Sequence, residues 1–293
     1  MAQFEENGRQ WIAAVYKVSP HPEWIDALRQ FIRPQWDALL NGDFAESAAA
    51  TRLTVDELRG WMLQLYPFIH AFPKFLAEAL IKVEDDYSRM FLIDNIRVEK
   101  QHAEFWVWMG QGFGVTRREM MERAEGDKPI LRDVQSLTDW LWYINTKGSL
   151  AEAVAATSFA IEGVTGDLTR KTLPGFEAYG KFPGVDMNSK TTRWMRTHAK
   201  YDDDHPQIAL EIIKRYATTE RLQQKVMLAA RRSLLLLDLA FNTSYRAYSA
   251  AATSDSEVEV DKRLGERRTE QRAFAFPERR FGEWRGRPVH LVH

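Results

Sequence analysis

Cysteine is absent from the 293 residues, which removes disulfide frameworks, thiolate metal sites and cysteine nucleophiles together. Any metal must be held by oxygen and imidazole nitrogen, a donor set that suits iron, manganese or zinc better than copper(I). Net charge is almost absent as well. Forty basic residues stand against 41 acidic ones, so overall charge points to neither nucleic acid nor an anionic membrane surface as partner. No apolar run approaches the roughly 18 residues of a membrane span. The amino terminus, MAQFEENGRQ, lacks a basic segment leading into an apolar one and does not read as a signal peptide. A cytoplasmic protein without a membrane span is the expectation. Strict apolar–polar alternation bounded by turn residues is missing too, which argues against a sheet.

What is present is helical periodicity. PEWIDALRQFIRPQWDALL, from residue 22, places apolar residues at three- and four-residue intervals, the pattern of an amphipathic helix. A second such stretch follows Thr54, an N-cap with Glu57 three residues on; Pro67 and Pro73 are expected to kink or interrupt it. Further helices are expected at about 86–112, 132–146, 149–171, 189–217 and 219–249. TLPGFEAYGKFPGVDMN, residues 172–188, is rich in Gly and Pro and reads as a loop. Long helices joined by short loops predict an all-α bundle. Three parts are expected: an N-terminal segment (1–21), a helical domain (22–250) and a charged, aromatic tail (251–293). From Lys262 the tail mixes Arg with Phe274, Phe276, Phe281 and Trp284. That mixture can bind single-stranded nucleic acid, but a strap packing its aromatics on the domain or a partner subunit is the preferred reading, and no nucleic acid is expected.

Three stretches carry chemistry. In THAKYDDDHPQ, residues 197–207, His198, Asp202 and His205 have helical offsets of zero, four and seven. They fall within roughly 60° of one another, while Asp203 and Asp204 point away. In NIRVEKQHAEFWVW, Glu99 and His102 are three apart and share a helix face. Glu-x-x-His is the pair used in ferritin-like di-iron bundles, which carry two copies; this chain has one. In AEAVAATSFAIEGVTGDL, Glu162 follows a small and apolar run. A buried ionised Glu is costly unless it is paired or coordinates a metal, so the choice is between a structural salt bridge and a ligand. Thr157, Ser158 and Thr165 are placed to hydrogen-bond the ligands.

Together Glu99, His102, Glu162, His198, Asp202 and His205 supply three carboxylates and three imidazoles. Two divalent ions would leave an excess of about one positive charge, which an anionic substrate could offset. A single iron on two His and one carboxylate is the simpler alternative, but six donors are more than it uses. His70, among aromatics, reads as a core residue with a pocket role open to it. His21, His290 and His293 are assigned nothing. Phe105, Trp106 and Trp108 read as core that could also wall an apolar pocket.

These stretches, in order and spacing, resemble the UndA family of fatty-acid decarboxylases. That family belongs to the heme-oxygenase-like di-iron oxidases, on the all-α fold shared with TenA and PqqC proteins. The likeness runs over about residues 25–245 and is greatest at the three motifs. The family's ligands carry over onto the same six residues. The resemblance implies an enzyme that uses Fe(II), two ions expected, with dioxygen as co-substrate and an external reductant. It further implies that a medium-chain fatty acid loses a hydrogen beside its carboxylated carbon, giving carbon dioxide and a terminal alkene. The small-molecule partner is then a carboxylate; the electron donor is not identified, and a homodimer is left open. The rivals are a related di-iron oxidase acting on another carboxylate, such as an amino acid, and a non-catalytic regulatory or binding protein on the same fold. A TenA-like thiamine-fragment hydrolase would need the missing cysteine.

Overall fold

The computed structural model describes residues 16–201 and 205–249. The tail with its expected strap, the first 15 residues, and Asp202 with its two neighbouring aspartates lie outside the described residues. Among these the chain is all α, with no strand. Helix α1 (Glu23–Asn41) and the short α2 (Asp43–Ala49) precede two long helices, α3 (Val55–Leu80) and α4 (Asp86–Gly112), which pack against each other along their length. Then come α5 (Arg117–Ala124), α6 (Arg132–Lys147) and α7 (Leu150–Val154). A π-helical segment (Ala155–Ile161) leads into α8 (Glu162–Ala178). Helices α9 (Arg193–Tyr201), α10 (His205–Tyr216) and α11 (Glu220–Arg246) complete the set.

Local sequence sets most of these boundaries. Thr54 accepts from the Glu57 amide at 3.1 Å while the Glu57 carboxylate accepts from the Thr54 amide at 2.7 Å, the reciprocal cap expected of this pair. Thr116 with Glu119 and Ser149 with Glu152 repeat the device. The Thr116 cap starts α5, which the apolar pattern alone did not reveal because only Met120 of that helix is buried.

Two expectations are corrected. Helix α3 runs through Pro67 and Pro73 without interruption. It is buried on most of its circumference, including Leu58, Met62, Leu65, Phe68, Phe72, Phe75 and Leu76, and tertiary packing of this extent outweighs two missing backbone bonds. The segment 172–188 is not wholly a loop: α8 continues through Pro174 to Ala178, and a 3₁₀ turn, Tyr179–Lys181, follows. Gly175 is there for contact, not for a turn. A Cβ on it would lie 2.1 Å from the Ala48 carbonyl oxygen and 2.4 Å from that of Ala49. The loop proper begins at Phe182, where Gly184 adopts φ +78°.

The core is aromatic. Trp61 stacks on Phe44 at 4.9 Å and meets Trp106 at 4.8 Å; Trp106 meets Trp194 at 4.8 Å. The buried Trp106 indole donates to the Met62 carbonyl at 3.0 Å, locking α4 against α3. Because the approach of α8 to α2 leaves no room for a methyl group, Gly175→Ala is expected to cost about 1–3 kcal/mol of unfolding free energy. Denaturant titration reads this directly, and an unchanged midpoint would show that the two helices are not in this contact.

Candidate metal centre

Five of the six candidate ligands are among the described residues, and the fold gathers all five into its interior. Helix α4 presents Glu99 and His102, the first residue of α8 is Glu162, α9 carries His198 and α10 begins at His205. Each is between 4% and 8% exposed. Asp202 lies outside the described residues, so the stripe expected of His198, Asp202 and His205 is observed only at its two ends.

The five form two adjoining sets. Ligand atoms of Glu99, His102 and His198 all lie within 4.8 Å of one another, and the His102 and His198 rings are 4.3 Å apart. In the other set, Glu162 Oε2 is 3.4 Å from His205 Nδ1. Several of these atoms have no protein partner to account for their burial. Both ring nitrogens of His102 lack a hydrogen bond, although Glu99 Oε1 lies 2.9 Å from Nδ1, because the contact has the distance but not the direction of one. His198 is oriented from behind: its Nδ1 lies 2.9 Å from the Trp194 carbonyl. An Nδ1–H donating there leaves the Nε2 lone pair for the cluster.

Burial governs the charge of these groups. It pushes Glu99 up to about 7, against the opposing pull of His198 and His205. Glu162 is raised for the same reason, with a bond from His205 and one from Asn95 working against the rise. His102 and His198 are pushed down to about 3, by burial first and, for His198, by its neighbour His102 next. Burial therefore works against charge on Glu99, Glu162, His102 and His198 alike. Neutral imidazole and ionisable carboxylate are the forms a divalent ion binds, and its charge reverses the penalty on the carboxylates. Oxygen and nitrogen donors with no thiolate fit iron.

One residue that holds this arrangement escaped the sequence reading. Asn95, fully buried, donates from Nδ2 to Glu162 Oε1 at 2.9 Å, and the same amide lies 3.4 Å from Ser158 Oγ. Its signal was present: Asn95, Glu99 and His102 have the same offsets of zero, four and seven as the histidine–aspartate stripe. Ser158 bonds Asn95 rather than a candidate ligand. The expectation for Thr157 and Thr165 is corrected as well, since their hydroxyls bond the carbonyls of Ala153 and Ile161, each at 2.7 Å. These two belong to the helix itself, as is common for Thr facing its own preceding turn. The π-helical segment ends at Ile161, so the irregular turn sits immediately before Glu162, a frequent position for π geometry at functional sites.

Beside the cluster is an apolar cavity of about 30 Å³, walled by Phe68, Phe72, Ile161, Leu237 and Phe241 and bordered by Glu99, Glu162 and His198. Trp106 lines it as well as serving the core. Phe105 packs near His102 at 6.0 Å, and Trp108 stacks on Phe105 without reaching the cavity. His70 is half buried against Tyr66 and does not line it. Of the residues expected to wall an apolar pocket, Trp106 lines this one; its volume holds about one water.

Solved structures with this helical arrangement define the fold class. A TenA homologue from Pseudomonas syringae pv. tomato str. DC3000 is 26% identical, with a TM-score of 0.69 over 78% of this chain and 98% of that one. A domain with a heme-oxygenase-like fold from Shewanella denitrificans OS217 is 17% identical, with a TM-score of 0.66 over 79% and 96%. The protein thus has the heme-oxygenase-like, TenA-like all-α fold. Residues 59–238 match the family of iron-containing redox enzymes, and the chain belongs to that family. A 4-aminobenzoate synthase from Chlamydia trachomatis serovar D is 27% identical over 157 residues, 52% of this chain and 64% of that protein; the match therefore spans less than two thirds of that relative's length.

The raised Glu99 makes metal binding depend on pH. Iron(II) entering the Glu99, His102 and His198 set must displace a proton from Glu99 below about pH 7, whereas both imidazoles are already neutral down to about pH 3. Affinity is expected to fall as pH drops through 7, by up to about tenfold per unit. Anaerobic calorimetric titration checks this, with about one proton released for the first iron near pH 6. Affinity that stays constant from about pH 5.5 to 8 would contradict it.

Proposed function

We propose that the protein is a dioxygen-dependent non-heme iron oxidase that converts a medium-chain fatty acid into a terminal alkene. The observation that carries this reading is the buried Glu/His group set against an apolar wall inside a member of an iron-containing redox family. Glu99, His102 and His198 hold one ion; Glu162 and His205, joined by Asp202 from the sequence motif, hold a second. Iron supplies the activation of dioxygen, which no side chain here can perform. Asn95 donates to Glu162 and so favours its ionised, ligating form. His198 is kept in one tautomer by the Trp194 carbonyl. Phe68, Phe72, Leu237 and Phe241 keep water away from the reacting carbon.

The substrate class follows from charge and lining. Three ligand carboxylates against two divalent ions leave room for one further carboxylate, and the apolar wall suits an alkyl chain. Loss of the β-hydrogen and of carbon dioxide from a fatty-acid anion releases one proton and two electrons. Reduction of dioxygen to water takes four electrons, so an external reductant supplies the other two. The narrower UndA-type assignment is supported by the motifs around Glu99, Glu162 and His198.

A second reading is favoured by one specific observation: a relative is a 4-aminobenzoate synthase; the cavity of about 30 Å³ takes neither an alkyl chain nor an amino acid until its walls move. On that reading the same iron site oxidises another carboxylate, such as an amino acid. Membership of a redox family favours either over a non-catalytic regulator.

The iron(II)-loaded protein, given dodecanoate, dioxygen and a reductant, is expected to release 1-undecene into the headspace. Neighbouring chain lengths should react more slowly, since each methylene that fits contributes about 0.8 kcal/mol. Oxygen uptake with an amino acid, and no alkene from any medium-chain fatty acid, would overturn the decarboxylase assignment and leave the oxidase standing.

A further inference from the structure

A second cavity is lined by chain neighbours of the metal-centre residues. It has a volume of about 310 Å³, at the small end of the range for small-molecule sites. Its floor is apolar, formed by Ile32 and Trp36 of α1, Phe159 of the π-helical segment and Pro206 of α10. Its rim carries Arg29 and Arg33 from α1 and Arg170 from α8, against Asp167 as the one acidic lining residue among the described residues. The Asp167 charge is already engaged, accepting from the Trp36 indole at 2.9 Å and pairing with Arg170. Arg33 meets Asp37 through Nε and is 70% exposed; Arg29, 40% exposed, meets Asp26 at 3.2 Å and Gln207 at 3.4 Å.

The position of this cleft is as informative as its lining. Gly163 and Pro206 both line it, and a Cβ on Gly163 would lie 3.4 Å from Pro206 Cγ and 2.9 Å from the Trp36 ring. Their chain neighbours, Glu162 and His205, form the 3.4 Å pair of the metal centre. Two lining residues of the cleft, Gly163 and Pro206, are thus the immediate chain neighbours of this pair, with adjacent Cα atoms about 3.8 Å apart by covalent geometry. Only glycine at 163 leaves the Trp36 ring in place as the floor.

We propose that this cleft is a capture site for an amphipathic carboxylate, its head on Arg29 and Arg33 and its apolar body on Trp36, Ile32 and Phe159, from which substrate reaches the metal centre. The inference rests on the carboxylate reading of the preceding subsection and adds the residues that collect the substrate. An apolar floor beneath an arginine rim selects an anion with an apolar body over a neutral alcohol of equal length, and over a small inorganic anion. Rim charges act mainly on encounter and on salt dependence, so they belong to kcat/KM rather than to kcat.

The test titrates decanoate, with decanol as the neutral comparison, into the iron-loaded full chain under anaerobic conditions. Decanoate is expected to bind more tightly than decanol and to weaken as salt is raised. Arg29→Glu combined with Arg33→Glu should weaken decanoate by about tenfold or more, while Arg118→Glu, on α5 and paired with Glu122, serves as the charge control and leaves it unchanged. Aerobic turnover of the double variant should show a lower kcat/KM with kcat retained. Equal decanoate affinity and equal kcat/KM in the double variant and the parent protein would overturn the capture site. So would decanol binding as tightly as decanoate. Alkene formation is read separately: arginine-dependent decanoate binding without alkene retains the capture site and removes the decarboxylase reading, whereas alkene formation indifferent to the arginines does the reverse.

Discussion

Burial of five ionisable Glu and His side chains in one group is the constraint around which this fold is arranged. Glu99, His102, Glu162, His198 and His205 are drawn from four helices into a region closed to water. Burial raises the two carboxyl groups of Glu99 and Glu162 and lowers the imidazoles of His102 and His198, so it works against charge on each of the four. A buried polar atom without a partner costs about 1–3 kcal/mol, and His102 leaves two ring nitrogens in that condition. A bound divalent cation turns this cost into affinity. The long uninterrupted α3, the Trp61–Trp106–Trp194 packing and the π-helical segment before Glu162 all keep the ligand helices in place around the group.

Support for the ligands comes from ordinary backbone and amide chemistry. The Trp194 carbonyl selects the His198 tautomer, and Asn95 ties α4 to α8 by holding Glu162. Trp194 also packs on the His198 ring at 4.1 Å, so the aromatic core continues up to the metal ligand with no solvent-filled layer between them. Stability of the core and geometry of the site are therefore coupled: a change that loosens α9 against α4 alters both.

Much of this was legible in the sequence. Helical periodicity and Thr54 capping placed α1, α3, α4, α6 and α11 close to their observed limits, because amphipathic spacing and cap chemistry are local. Four of the five described candidates were singled out because a helix converts spacings of three and seven into a shared face, and Glu162 because it follows a small and apolar run. Residues 172–188 misled because Pro174 and Gly175 carry turn chemistry locally, whereas the contact that requires Gly175 comes from Ala48, more than a hundred residues earlier. The prolines of α3 misled for a related reason, since helix burial on all sides is decided by neighbouring helices. Asn95 was missed because amides are common on helices and its partner Glu162 lies on another element. The arginine-rimmed cleft was beyond sequence reading, as its walls come from α1, the π-helical segment, α8 and α10.

The central claim is that the buried Glu/His group is a metal centre. Crystals grown anaerobically with iron(II), measured at the iron absorption edge, test it most directly. The account predicts an anomalous peak within coordination distance of Glu99, His102 and His198, and a second beside Glu162 and His205 at sufficient iron. Anomalous signal confined to other residues, with these five side chains closed upon one another, would contradict it.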